Sequence, residues 1–477
     1  MVLQTGMPLS DAAHSLATAT GVKGRVEVVP TNTDYTVLID YAHTPDGVEN
    51  VLRAVRGFAK GRVVALFGCG SPDSSSSGGD SAGGSETASS AEGNTGETKK
   101  LTMILRAGSY TDVMKNMAPA FGEEHNVEFE YLDLDVANMY EKIALNSKSN
   151  QGSYDVLMID EPWFREFQET GIISNLSELG CELDDDFIQE VTEICVDDNG
   201  DVYGVPFYGN VELMLYNVDV LSQYGYDAPP TSWTEVLDLA KKVKADGGKD
   251  GYLVRAQAGE NVVIDIYPLL LAHGANILDE NNQPTINTPE FKAALEFYIE
   301  LKNAGQIMEK DDIVASVSNG DAAMSLTWPG WYLPEADEPI KFAPAPNKVG
   351  DGDEEHTSTS IYGIWYLGVA SNSQNKELAM EYIDYITSPE IMTESVKFGG
   401  VPTRHSSYQD EEVQEARPHL ASVYEALQHA KFRPQLKEWP QITNAVGIEL
   451  DNAIQNAKSV DQALADAQAA VERLLQG

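Results

Sequence analysis

Between Ser71 and Lys100 the chain reads SPDSSSSGGDSAGGSETASSAEGNTGETKK, with no apolar side chain larger than alanine apart from one proline. A segment of this kind cannot bury enough surface to offset the entropy of ordering it, so 71–100 is expected to be a disordered, flexible linker. It splits the chain into a short part, 1–70, and a long part, 101–477. A total of 477 residues exceeds what one hydrophobic core usually organises, and the long part has the length for two lobes.

Ahead of the linker, RVEVVPTNTDYTVLID alternates as strands do, GVENVLRAVRGF has helical spacing, and GRVVALFG is an apolar run bounded by glycines. This is a small α/β fragment. After the linker, LTMILRAG and VEFEYLDLD read as strands flanking a helix, and SYDVLMID as a short strand apolar enough to be buried on both faces. The alternation of β and α elements predicts a parallel sheet. Asp-Asn-Gly within ICVDDNGDVYGVPF predicts a hairpin. SWTE at 232–235 is a capping box that opens a helix, with Gly247 placed to close it in the left-handed conformation. Thr288-Pro289 and Ser388-Pro389 each pair a cap residue with proline at the first helical position. The sequence contains no repeat of solenoid length.

Charge and cysteine content narrow the function classes. A formal net charge of -43, from 75 acidic and 32 basic residues, argues against nucleic acid or an anionic membrane surface as partner. Three cysteines, Cys69, Cys181 and Cys195, form no CxxC pair and no Cys/His metal spacing. A disulfide framework is excluded, while a single Cys181–Cys195 bridge stays open. No stretch approaches the apolar length of a membrane span, and MVLQTGMPLSDAAHSLATATG lacks the basic start and apolar run of a secretory signal. The phosphate-loop, nucleophile-elbow, HExxH and glycine-rich dinucleotide motifs are absent, and the eight histidines are scattered singly. The long part therefore reads as a binder, with no catalytic residues, metal or cofactor expected.

Aromatic residues fall where core packing does not demand them. DEPWF (160–164) follows the strand SYDVLMI, and TWPGWYLP (327–334) follows the apolar run DAAMSL; both place indoles beside Pro or Gly at strand ends, where open α/β sheets bind ligands. An indole covers the apolar C–H face of a sugar while carboxylates, amides and Arg take its hydroxyl rim. Trp233, inside the capping box, is assigned to packing, and Trp365 in GIWYLGVAS is half core. The spacing of Trp328 and Trp331 in a Pro/Gly turn favours binding over packing. Arg404 in FGGVPTRHS follows two glycines that would shape a turn aiming it inward. Asp160 and Glu161, read as residues alone, are solvated acids with no partner base.

The stretches DVLMIDEPWFREFQETGIISNLSE, GDVYGVPFYGNVELMLYN, PPTSWTEVLDLAKKVK, NGDAAMSLTWPGWY, SQNKELAMEYIDYITSPE and GGVPTRHS, in this order, resemble the extracellular solute-binding proteins of ABC sugar importers, the maltodextrin-binding type. The resemblance implies a periplasmic-binding-protein-like type II fold, α/β, with two lobes, a hinge and a central cleft. It implies one lobe over 101–208 and 345–398, a second over 209–344 and 399–477, and hinge crossings near Phe207–Glu212 and Phe342–Lys348. It also implies a carbohydrate ligand, mono- or oligosaccharide or polyol, handed to ABC permease subunits by a monomer at the outer face of the membrane or in the periplasm. Carried over by position, the ligand contacts are Arg106, Tyr110, Asp160, Glu161, Trp163, Tyr208, Asn210, Trp328, Trp331, Tyr332, Tyr362, Gly363, Trp365, Arg404 and Trp439. DEPWF is closer to the monosaccharide or polyol binders than to the maltodextrin ones.

The short part resembles something unrelated. GVKGRVEVV and LIDYAHTPDGVENVLRAVRGFAKGRVVALFGCG are similar to the first strands of the C-terminal domain of the Mur ligase that adds the third residue of the peptidoglycan stem peptide. The match stops at Gly70, and the ATP-binding domain with its phosphate loop is absent, so ligase activity is not implied, whatever Asp40, His43 and Asp46 do in a full enzyme. Read from the other side, CGSPDSSSSGG is how mature solute-binding lipoproteins begin, which makes Cys69 a candidate lipid anchor and the only expected link to a membrane. The rivals to a receptor are an enzyme with two carboxylates facing across a cleft, and a scaffold with no ligand.

Overall fold

In the chain N-terminal to the linker, two short runs of β-branched and apolar residues pair as β1 (Glu27–Val29) and β2 (Val37–Ile39), antiparallel, with Glu27 opposite Ile39. The computed structural model describes residues 27–29, 37–39, 56, 98–257, 259–332, 334, 338–350 and 360–476. Apart from Arg56, which is helical, the helix expected over 47–58, the apolar run before Cys69 and the linker to Glu97 lie outside these residues. The chain divides into two units, 1–92 and 93–477. Lys99 and Lys100, assigned to the linker by composition, belong instead to the first strand of the long unit, where they pair with Val127 and Glu128.

The strands of the long unit are β3 (Lys99–Arg106), β4 (Val127–Leu134), β5 (Val156–Asp160), β6 (Val205–Tyr208), β7 (Leu213–Asn217), β8 (Asp250–Val254), β9 (Gly305–Ile307), β10 (Ala322–Thr327), β11 (Ile340–Pro344) and β12 (Trp365–Val369). They form two sheets, ordered β4-β3-β5-β12-β6 and β11-β7-β10-β8-β9. The expected run VLMID is β5, buried along its whole length, with β3 parallel on one side and β12 antiparallel on the other. The sheets are therefore mixed, not parallel: β12 runs against β5 and β6, and β7 runs against β10 and β11. Each reversed strand follows a segment arriving from the other sheet, so it enters without a crossover helix of its own.

The helices follow their cap chemistry, with exceptions. Those used below are α1 (Ser109–His125), α2 (Trp233–Asp246), α3 (Glu260–Ala272), α4 (Pro289–Asn303), α5 (Lys310–Ser318), α6 (Leu420–Leu427), α7 (Trp439–Ile454) and α8 (Val460–Leu475). Ser232 accepts the Glu235 N–H at 3.2 Å, while Glu235 reaches back to the N–H of Thr231, one residue before the usual capping-box partner. Gly247 takes a positive φ of 79° but an extended ψ of 152°, so α2 ends without the left-handed cap. Thr288 caps α4 through the Phe291 N–H at 3.3 Å. Ser388 precedes the helix Pro389–Ser395 without capping it, since its hydroxyl donates to the Tyr385 carbonyl. The Asp-Asn-Gly turn is tighter than a strand hairpin: Val196 and Val202 form an isolated bridge, and the Asp197 carboxylate accepts the N–H groups of Asn199 and Asp201. Cys181 and Cys195 are buried free thiols.

Three segments cross between the sheets, and they pair with one another. Val211 bridges Tyr362, the Glu212 N–H donates to Ile361, and the Gly363 N–H donates to Asn210. Ile361 also bridges Lys431. The first of these segments links the end of β6 to the start of β7. The second lies at 360–364, not at Phe342–Lys348: β11 extends to Pro344, and the chain beyond it is tied to the start of α2 by Trp233 N–H to Lys348 and Gly350 N–H to Thr234. No helix among the described residues is long and apolar enough to cross a membrane.

Where α6 packs on β11, His419 is buried against the Phe342 ring at 5.7 Å, and neither ring nitrogen has a hydrogen-bond partner among the described residues. Burial, with Arg417 and Lys341 nearby, pushes its pKa down to about 4. The unfolded chain therefore binds this proton first as pH falls, and stability is lost between about pH 6.5 and 4, by about 3 kcal/mol in all. We expect denaturant unfolding of His419→Leu to lose this part of the acid dependence; an unchanged slope would refute the assignment.

Candidate functional site

In each sheet the parallel strands end at one edge, and the reversed strands begin there, so their terminal side chains gather at that edge. On the first sheet these are Arg106 (end of β3), Asp160 (end of β5), Tyr208 (end of β6) and Trp365 (start of β12), with Trp365 directly opposite Asp160 and Tyr208. On the second they are Glu212 before β7, Arg255 after β8 and Trp328 after β10. The turn Pro329–Trp331 then meets the start of α1, where the Ser109 hydroxyl lies 3.2 Å from the Gly330 carbonyl and 3.0 Å from the Tyr208 hydroxyl.

The aromatic side chains form a continuous wall. Tyr110 meets Tyr208 at a tilt of 40° with the rings 4.2 Å apart and lies 5.5 Å from Trp365, and Trp365 meets Trp163 edge-on at 5.9 Å. The wall is held by hydrogen bonds to the crossing segment: Asn210 donates to the Tyr110 hydroxyl at 3.2 Å and accepts the Gly330 N–H at 3.3 Å. Trp328 seats against Gly363, where a Cβ would come within 2.5 Å of the indole, so glycine is required there by packing. Tyr208 and Tyr362 are wholly buried, with hydroxyls donated to the carbonyls of Gly399 and Leu427 at 2.6 Å each. Trp331 and Tyr332 are half-buried, and the Tyr332 hydroxyl bonds Glu338.

The carboxylates are not solvated, contrary to the reading of Asp160 and Glu161 as residues alone. Glu161 is fully buried and accepts three hydrogen bonds from Arg433: its N–H at 3.1 Å, Nε at 2.9 Å and Nη2 at 2.6 Å. Gln435 adds a fourth at 2.6 Å. Burial pushes the Glu161 carboxyl up to about 7 against the pull of Arg433. Asp160 is pushed up to about 6 by burial, with Arg433 Nη2 3.7 Å away and pulling the other way. Glu260, opening α3, faces the same guanidinium at 3.6 Å.

Arg404 and Trp439 stand apart from this cluster. Arg404 is turned inward as expected, but its Nε donates to Thr387 and its Nη1 to Asp184 and Asp186, with the Phe187 ring 3.7 Å below. A guanidinium so engaged holds local structure together and has little left to offer a ligand. Trp439 is buried edge-on to Tyr267 in the helical layer of the second sheet. Residues that the sequence did not single out complete the cluster: Arg433, Gln435, Arg255, Glu260 and Lys310. Arg255 lies 4.8 Å beneath the Trp331 ring and is backed by Glu212 at 3.7 Å and Asp265 at 3.6 Å. Its place directly after an apolar strand, close to that of Arg106 at the end of one, was the available signal; KFRPQ carries none. No group of three or more metal-ligating side chains occurs among the described residues. A cavity of about 740 Å³ lies elsewhere, between Tyr267, Asn276, Asp279, Phe432 and Pro434, and none of the expected contacts lines it.

Removing one member of a buried, hydrogen-bonded ion pair leaves its partner uncompensated, at a cost of about 3–5 kcal/mol. We expect Arg433→Ala to destabilise the long unit by about that much in denaturant unfolding, and Glu161→Gln with Arg433→Met to cost clearly less. Equal losses would mean that the pair is not coupled.

Comparison with known proteins agrees with this architecture. Residues 107–393 match the bacterial extracellular solute-binding protein family, and residues 24–88 the Mur ligase, glutamate ligase domain. A probable amino-acid ABC transporter periplasmic-binding protein of Sinorhizobium fredii is 25% identical over 79% of this chain and 89% of its own length. A mannitol-binding protein of Pseudomonas aeruginosa is 25% identical over 76% and 89%. Among solved structures, an Agrobacterium radiobacter solute-binding protein in complex with ribitol superposes with a TM-score of 0.70 at 22% identity, covering 79% of this chain and 98% of that one. At the N-terminus, a diaminopimelate-adding ligase of Clostridium acetobutylicum is 47% identical over 70 residues, which is 14% of this chain and 14% of the ligase. The chain thus belongs to the bacterial extracellular solute-binding protein family, and carries ahead of it a partial match to a Mur ligase domain.

Proposed function

We propose that this protein captures a carbohydrate, a sugar or polyol, between its two sheets and presents the closed form to the permease of an ABC importer. The observation that carries the reading is one cluster of indoles, carboxylates and guanidinium groups drawn from the facing strand ends of both sheets. Trp163, Trp365 and Trp331 supply stacking area; Asp160, Glu260 and Arg106 supply the polar rim. The lobes we draw are 101–208 with 360–398, and 209–350 with α7 and α8, hinged on the three paired crossings. A ligand that touches both lobes binds the closed state better than the open one and so shifts the population toward it. A relative named as mannitol-binding and a similar structure in complex with ribitol support a small polyhydroxyl ligand.

The test is thermal unfolding of the whole chain against sugars, sugar acids, polyols and, because one relative is named for amino acids, amino acids. A true ligand at about 100 times its dissociation constant stabilises the fold by about 2.7 kcal/mol. We expect one carbohydrate class to do so, with a decrease in radius of gyration, and Trp331→Ala to weaken binding at least about tenfold. A shift with amino acids alone would remove carbohydrate from the proposal.

A further inference from the structure

Around the seam between the turn Pro329–Trp331 and the start of α1, positive charge collects from both sheets. Lys310, the first residue of α5, holds its ammonium 5.8 Å from the Trp331 ring, and Arg255 lies 4.8 Å from the same ring. Arg106 enters from the first sheet, 6.0 Å from the Tyr110 ring. Ser109 touches Gly330 at 3.2 Å, so these groups belong to one place in the fold. Arg255 is matched by Glu212 and Asp265. The other two are not matched in the same way. Among the described residues Arg106 has no carboxylate within 4.0 Å, and Lys310 reaches Asp311 at 3.9 Å, a side chain 95% exposed to solvent.

Like charges brought together across a cleft repel, and the repulsion grows as water is excluded. Burial lowers the Lys310 pKa against the pull of Asp311, and Arg106 lowers it further. The start of α1 adds to the same field, since its cap residue, Gly108, offers no side chain to the first N–H groups. The acids of the cluster lie toward Arg433: Asp160, Glu161 and Glu260 all face that guanidinium. The charge is graded along the site: Asp160 feels both Arg433 and Arg106, Asp135 also feels Arg106, and Lys310, with only the exposed Asp311 beside it, is the least compensated cation.

We infer that the ligand is a sugar acid, an aldonate or uronate, whose carboxylate lies between Arg106 and Lys310 while its hydroxyls face Asp160 and Glu260. This rests on the carbohydrate reading above. An anion at that seam removes the repulsion only when the sheets are together, which gives the ligand its differential affinity for the closed form. Lys310 then acts as a specificity residue contributed by the second sheet.

The experiment is calorimetric titration of the whole chain with matched pairs: galacturonate and galactose, glucuronate and glucose, gluconate and glucitol. We expect the acid of at least one pair to bind about tenfold or more tightly than its neutral partner, with the gap narrowing at high salt. Lys310→Met, at a half-exposed position, should reduce that gap to within about threefold. If, in every pair that binds, the neutral partner binds as well as its acid, this inference is overturned and the carbohydrate reading is left standing. Silence from every acid and every neutral partner overturns both.

Discussion

A carboxylate with no access to water must be neutralised by what surrounds it, and Glu161 meets this requirement through the guanidinium and N–H of Arg433 and the amide of Gln435. The pair joins residues far apart in sequence: Glu161 follows the central strand β5, and Arg433 lies just beyond Lys431, where the chain pairs with the second crossing. Its consequences spread outward from there. It fixes the short turn Glu161–Trp163, hence the placement of Trp163 against Trp365, and it sets the charge that Asp160 and Glu260 both face.

The second constraint is the backbone ladder of the crossings. Segments near 210–212, 360–363 and 431 satisfy one another's N–H and C=O groups, so a region that belongs to neither sheet is still hydrogen-bonded. Asn210 extends the ladder into side chains by linking Tyr110 of α1 to Gly330 of the facing turn. One residue of the crossing segment therefore touches side chains and backbone on both sides, at the start of α1 and in the turn after β10.

The distribution of charge is the less expected property. A chain of net charge -43 keeps Arg106, Arg255, Lys310 and Arg433 around its cleft, out of 32 basic residues in all. The overall acidity governs solubility and long-range repulsion, whereas the fold gathers these four cations around the facing strand ends of the two sheets.

Local signals in the sequence were enough for the apolar strand at Val156–Asp160, the caps at Ser232 and Thr288, the burial of Trp233 and the aromatic turns after β5 and β10, because each depends on neighbours within a few residues. They placed the aromatic turns DEPWF and TWPGWYLP at strand ends, whereas the meeting of Tyr110 and Tyr208 was implied only by the family resemblance. They could not reveal that Lys99 and Lys100 are strand, which depends on β4 lying alongside, nor that the second crossing falls at 360–364, which depends on pairing with 211 and 431. Arg404 and Arg433 make the division plainest. Each is an arginine within two residues of a proline, and nothing local separates them; tertiary packing sends one to Asp184 and Asp186 and the other to Glu161. The elements and their apolar faces were thus determined by the sequence itself, because periodicity and capping are local. Which charges meet in the cleft was decided only by the tertiary structure, because an ion pair depends on distance in space and not on spacing along the chain.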